Sequence, residues 1–227
     1  MSVGRNRDRS PPQESTIGVA VSPDIRAMSA AGRRGGSFVA VTNLFVKNAH
    51  GTPVASVREL VFSPQGLAVG VRCSPLRQVL ITSRAVTRDC GLRPGDLREN
   101  IEVDLDHLYE LPSGTVIRVG AALIRLTFHC EPCKKILHLV AHDAILHRRG
   151  YLGCFLNSGT IAHGDAVTVT DERLESIPYA VKDRIRWFCA KRNAGLAALD
   201  LVHALGLPST SARAVPRLVA NLGLRWR

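Results

Sequence analysis

Several things are scarce in this chain of 227 residues, and each scarcity narrows the possibilities. No run of about 18 apolar residues occurs, so no membrane-spanning helix is expected. The N-terminus has no short apolar stretch behind a basic one, so a secretory leader is not expected and a cytoplasmic location is. Cysteine is sparse, at six residues, which is too few to force a disulfide scaffold in a chain this long. No lysine sits in a recognisable pyridoxal-phosphate context, and no strained Gly-x-Ser-x-Gly turn presents a serine nucleophile. Acidic residues are the minority, 19 against 30 basic, a formal net charge of +11. Such a balance favours anionic partners: nucleic acid, phosphorylated cofactors or acidic surfaces.

The charge and the patterning divide the chain. Residues 1–37 are rich in Gly, Ser, Pro and Arg and show no periodicity, which predicts a disordered leader. Residues 38–170 read as short β-strands broken by Gly/Pro turns. The segments are FVAVTNLFVK (38–47), VRELVF (57–62), QVLITS (78–83), ENIEV (99–103), and a hairpin of TVIRVG and ALIRLTF turning at Gly120-Ala121. Period-2 alternation predicts that Ile124, Leu126 and Phe128 share one face. A strand, turn and strand follow over 151–170. One helix is expected over 133–147. The fold class is therefore mainly β, a barrel or sandwich with short helices. From residue 171 the pattern turns helical. Pro178 suits a helix start, a second helix ends near Gly206, and a third follows with Ser209 or Ser211 as its cap. Pro216 either delays that third helix to about Val215 or kinks it.

Four stretches in the middle of the chain carry a resemblance. RQVLITS (77–83) looks like an arginine-bearing central strand, and GLRPGDLRENIEV (91–103) like a Gly/Pro loop entering a Glu-Asn dipeptide. LPSGTVIRVGAALIRLTFHCEPC (111–133) looks like a strand pair ending in Pro-Cys, and NSGTIAHGDAV (157–167) like a closing Gly-to-Gly-Asp turn. In this order they resemble the MOSC family, the domain at the C-terminus of molybdenum cofactor sulfurases. The resemblance implies a β-barrel-like fold over roughly residues 38–170. It also implies a cysteine, best matched by Cys133, that carries sulfur or faces a molybdenum cofactor (molybdopterin). Members range from sulfurase tails to components that reduce amidoximes or hydroxylaminopurines. Many members have a Gly-Asp pair and a histidine before the central strand; here that stretch reads GLAVGVRCSPLRQV, with Gly70-Val71 and no histidine.

The residues can be read on their own chemistry as well. Cys133 follows Pro132 and precedes Lys134 and Lys135; at the first turn of a helix, beside cations, its thiolate would be favoured. The plainer alternative is a small buried apolar residue. Cys130 completes Cys-x-x-Cys and either resolves a persulfide on Cys133 or is a packed thiol at a strand end. Cys130, Cys133, His138 and His142 have a zinc-like order, but the gap between the pairs is too short, and no metal site is assigned. An anionic cofactor would be met by Arg77, Arg98 and Lys134, with Glu99 and Asn100 beside them; Arg forks suit phosphate, and an amide suits a heterocycle edge. The partners that follow are a cysteine desulfurase as sulfur donor and a reductase or molybdoenzyme. The rival reading rests on the basic tail, where LDLVHALGLPSTSARAVPRLVANLG has a helix-turn-helix outline. Ser209, Thr210, Ser211 and Arg213 would then face nucleic acid.

Overall fold

The computed structural model describes residues 39–71, 73–191, 198–207 and 209–224. The expected leader, residues 1–37, lies outside the described residues. The elements run β1 (Val41–Val46), β2 (Ala55–Ser56), β3 (Glu59–Ser63), β4 (Gly66–Leu67), β5 (Val79–Ser83), α1 (Arg84–Asp89), β6 (Ile101–Val103), a 3-10 turn (Asp106–Glu110), β7 (Thr115–Val119), β8 (Ala122–His129), α2 (His142–Ile145), β9 (Tyr151–Phe155), β10 (Gly159–Ala162) and β11 (Val167–Arg173). Then come α3 (Val181–Ala190), α4 (Ala198–Ala204), a second 3-10 turn (Ser209–Arg213) and α5 (Val215–Asn221). The class is mainly β with short helices, as expected.

Eight strands form one sheet in the order β11-β7-β8-β9-β5-β6-β1-β2, and a second sheet has the order β10-β3-β4. The large sheet curls back on itself. Ala40, just before β1, bridges Ala166, just before β11, and Val41 N and Val167 N donate across the join to Asp165 and Val39. Asp165 also holds its own turn by accepting from Ala162 N at 2.8 Å. The interior is filled by Val79, Ile81, Ile101, Val103, Ile117, Ile124, Leu126 and Phe155, all 3% exposed or less.

The central strand VLITS is buried along its whole length because both of its faces are covered. Val79 and Ile81 point into the barrel, while Leu80 joins an outer cluster with Phe128, Cys130, Leu152 and Ile177. β5 and β6 pair in parallel, which requires a crossover; α1 and the Gly/Pro loop after it provide the length. Cys90 to Asp96 and the Gly95 turn bring the chain back to the sheet.

Four local expectations change. The register between β8 and β9 shifts between Leu126 and His129, a β-bulge. The extra residue ends the alternation, so Ile124 and Leu126 face the interior while Phe128 faces the outer cluster. The stretch 151–170 holds three strands, not two. No helix spans 133–147. Ala141 is extended (φ −62°, ψ 143°), as is Leu146 (φ −59°, ψ 129°), and His147 is left-handed (φ 60°), leaving only the four residues of α2 helical. Pro178 precedes α3 by three residues rather than opening it.

The C-terminal helices pack together through Ile185, Leu201, Val202, Leu205, Val215 and Val219. α5 starts late, with Pro216 in its first turn and no side-chain cap, so the delayed start holds and neither Ser209 nor Ser211 caps it. The residues assigned to the start of a recognition helix form a 3-10 turn instead. Among the described residues, no helix is long and apolar enough to cross a membrane.

Candidate functional site

The segment after β8 decides where the two cysteines go. Cys130 continues the strand: its N–H donates to Gly150 O at 2.9 Å, and its side chain is 2% exposed. Arg77 Nη2 approaches its sulfur at 3.7 Å, while Arg77 Nη1 donates to Gly206 O at 3.0 Å. Cys133 lies three residues on, half-buried, with its carbonyl accepting from Ile136 N and Leu137 N to close a single turn. That turn does not continue, so Cys133 does not head a regular helix. Both cysteines are free thiols. Lys134 and Lys135 are exposed and, among the described residues, form no ion pair.

A group of cations gathers near Cys130 that the sequence reading named only in part. Lys47 directly follows β1, and burial lowers its pKa. The nearby charges of Arg149 and Arg98 lower it further, while Cys73 and Cys130 oppose them. Arg149 is 7% exposed; one guanidinium nitrogen donates to Glu131 O at 2.6 Å, and its Nε is buried without a partner. Among the described residues, Lys47, Arg98 and Arg149 form no ion pair. Cations held out of water without an ion pair present an anion-binding field. Lys47 and Arg149 were not legible as site residues, because a strand-end lysine and one arginine of a basic pair look like ordinary surface charge.

The Gly/Pro loop shapes the other side. Arg98 has φ +62°, a left-handed backbone that costs a side-chain-bearing residue conformational energy. Glu99 is fully buried. Its Oε1 accepts from Gly95 N at 2.5 Å, and its Oε2 has no partner. Gly95 reaches this position with φ +96°, and a Cβ there would crowd Val54 at 3.1 Å and Phe45 at 3.3 Å. Burial pushes the Glu99 carboxyl up to about 7; the Glu102 charge adds to the rise, and backbone hydrogen bonds and Lys47 oppose it. Asn100 has a structural task. Its Oδ1 accepts from Leu80 N at 3.1 Å and its Nδ2 donates to Phe45 O at 3.3 Å, stitching β5 to β1 where β6 has not yet begun. The structure therefore brings Arg98 and Glu99 toward Lys47 and ties Arg77 to Cys130. Asn100 is committed to the sheet, and Lys134 stands in solvent.

An aromatic group flanks this region. His129 lies edge-on to Tyr151 at 4.5 Å between ring centroids and faces His147 at 5.7 Å; His147 meets Tyr179 at 4.8 Å. Burial, then the His147 charge, lowers the His129 pKa. Burial raises the Tyr179 hydroxyl, and the charges of Glu131 and Cys130 raise it further. Among the described residues, no three of His, Cys, Asp and Glu are gathered to hold a metal ion.

Residues 72–168 match the family model of the MOSC domain. The fold of the chain is similar to that of YiiM from Geobacillus stearothermophilus, at 14% identity and a TM-score of 0.50, covering 80% of this chain and 99% of that one. A second solved structure, described as a hypothetical protein, has 17% identity and a TM-score of 0.51, covering 83% of this chain and 90% of that one. No curated protein matches the chain.

Proposed function

We propose that this chain binds the molybdenum cofactor and uses Cys133 as its reactive thiol, in sulfur transfer or molybdenum-dependent reduction. The observation that carries the reading is the set Lys47, Arg98 and Arg149, held partly out of water and, among the described residues, without an ion pair. An anionic group satisfies such a set, and the phosphate of a molybdopterin is one. The buried, unpartnered Nε of Arg149 is a donor that such an anion would fill. The cofactor would supply the metal and sulfur chemistry. The chain's own part is to hold the anion on its cations, to present the half-buried thiol of Cys133, and to keep Cys130 packed behind it against Arg77. Without a pyridoxal-phosphate lysine of its own, the chain would receive sulfur from a separate cysteine desulfurase, and a reductase or molybdoenzyme would complete the cycle.

The test is intact mass spectrometry with cysteine mapping after incubation with a desulfurase and cysteine. The expected result is a gain of one sulfur on Cys133 that reductant removes and that Cys133→Ser abolishes while the barrel stays folded. Arg149→Met should retain less cofactor than the parent chain when both are isolated from cells that make it. An unmodified Cys133, together with equal cofactor content in Arg149→Met, would overturn the reading.

A further inference from the structure

The outer face of the parallel β5–β6 pair carries two buried oxygens with nothing bound to them. Thr82 and Glu102 are register partners on adjacent strands, so their side chains stand side by side. Thr82 is 0% and Glu102 1% exposed. Glu102 Oε2 accepts from Thr42 Oγ1 at 2.8 Å and from Asn43 Nδ2 at 2.6 Å. Among the described residues, Glu102 Oε1 and Thr82 Oγ1 have no hydrogen-bond partner. A carboxylate taken out of water with one oxygen unmatched is costly, and a cationic donor placed against it removes that cost.

Glu102 lines a cavity of about 630 Å³ together with Thr42, Asn43, Arg84, Asp104 and His163. That volume suits a small-molecule ligand. The cavity carries charge of both signs. Its wall holds the buried carboxylate of Glu102, and exposed Arg84, Arg88, Asp104 and His163 also line it. Among the described residues Arg84 has no ion-pair partner, whereas neighbouring Arg88 is tied to Asp89 at 3.3 Å. A simple anion would meet Glu102, and a bare metal ion would find too few ligands, since no three metal-binding side chains converge among the described residues. A zwitterion matches both signs.

We propose that this cavity is a second small-molecule site, for a ligand of the α-amino-acid class, with its ammonium group against Glu102 Oε1 and its carboxylate toward Arg84. The site does not depend on the cofactor reading: none of Lys47, Arg98, Arg149, Cys130 and Cys133 lines this cavity.

The experiment is isothermal titration calorimetry on the full chain with L-glutamine, L-lysine and L-methionine, each as the free amino acid, the N-acetyl derivative and the carboxamide. At least one free amino acid should bind, and N-acetylation should abolish that binding. Glu102→Gln should weaken it by about tenfold or more, because a charge-assisted contact becomes a neutral one. Arg84→Ala, a surface change that leaves the fold intact, should erase the preference for the free acid over the carboxamide. Cys133→Ser should bind as the parent does. The proposal is overturned if the cavity takes only water, so that no probe binds at millimolar concentration. It is equally overturned if N-acetylated probes bind as well as free ones, or if Arg84→Ala leaves the preference for the free acid intact.

Discussion

A single carboxyl group shows how burial and charge set chemistry in this protein. Glu99 has an ordinary value near 4.5 that rises to about 7 in the folded chain, chiefly through burial. Between these two values the folded state holds a proton that the unfolded state has released. Stability therefore falls as pH rises through the window from about 4.5 to 7, and the loss is complete above it. The size is on the order of 3 kcal/mol, from about 1.4 kcal/mol per pH unit. Glu99→Gln keeps an oxygen to accept from Gly95 N and removes the titration. Urea unfolding at pH 5 and pH 8 should show the parent chain weaker at pH 8 by more than the variant is; equal pH slopes would refute the assignment. Glu99 stood out in the sequence as half of a Glu-Asn pair, but its neighbours did not. Lys47 lies some fifty residues upstream and Arg149 some fifty downstream, and only the closure of the sheet brings their charges together. Asn100 was legible as a residue of interest, yet its role is to bridge two strands, because both ends of its amide are already bonded there.

At the scale of elements, the longer strands and the C-terminal helices were legible, and the short helices inside the barrel were not. Alternating or fully apolar runs bounded by Gly and Pro marked β1, β3, β5, β7 and β8, since each must bury at least one face. α1 was missed because six residues give too little periodicity to read. The opposite error occurred over 133–147, where apolar residues at near-helical spacing suggested a helix. There Ile136 and Ile145 are buried, while Leu137, Leu139 and Leu146 remain 37–40% exposed, so no continuous apolar stripe drives a helix together. Pro216 gives this scale its test. It sits in the first turn of α5, where its missing N–H costs no intrahelical bond. Pro216→Ala should cost no more than about 0.5–1 kcal/mol, through a more flexible unfolded chain. Leu218→Pro removes the 3.0 Å bond from Leu218 N to Ala214 O and should cost about 3 kcal/mol or more. Comparable losses in urea unfolding of the two variants would show that α5 starts elsewhere.

At the scale of the whole molecule, one buried arginine links the barrel to the helices that follow it. Arg184 on α3 is fully buried and, among the described residues, forms no ion pair. Its Nε donates to Pro178 O at 2.9 Å, and its two terminal nitrogens donate to Leu205 O at 3.1 Å and Tyr179 O at 2.5 Å. Its Cζ lies 3.4 Å from the centre of the Phe128 ring, the residue that the β8 bulge turned outward. Desolvation lowers its pKa to about 10, so it stays charged at neutral pH, and the ring face and three carbonyls carry that charge. A second link, Arg77 between Cys130 and Gly206, closes against the same face. Neither link could be read from patterning: Arg184 appears as one of many basic residues in a charged helix, and nothing local says that it faces inward. Arg184→Met keeps much of the packing volume but strands three carbonyls and removes the contact with Phe128. Amide hydrogen exchange should then quicken across residues 178–191 and 198–207, while β5, β8 and β9 keep their protection, because the barrel interior is a separate apolar cluster. If exchange instead rises equally in the barrel strands, the helices and the barrel form one cooperative unit and Arg184 is a core residue of the whole rather than a latch between its parts.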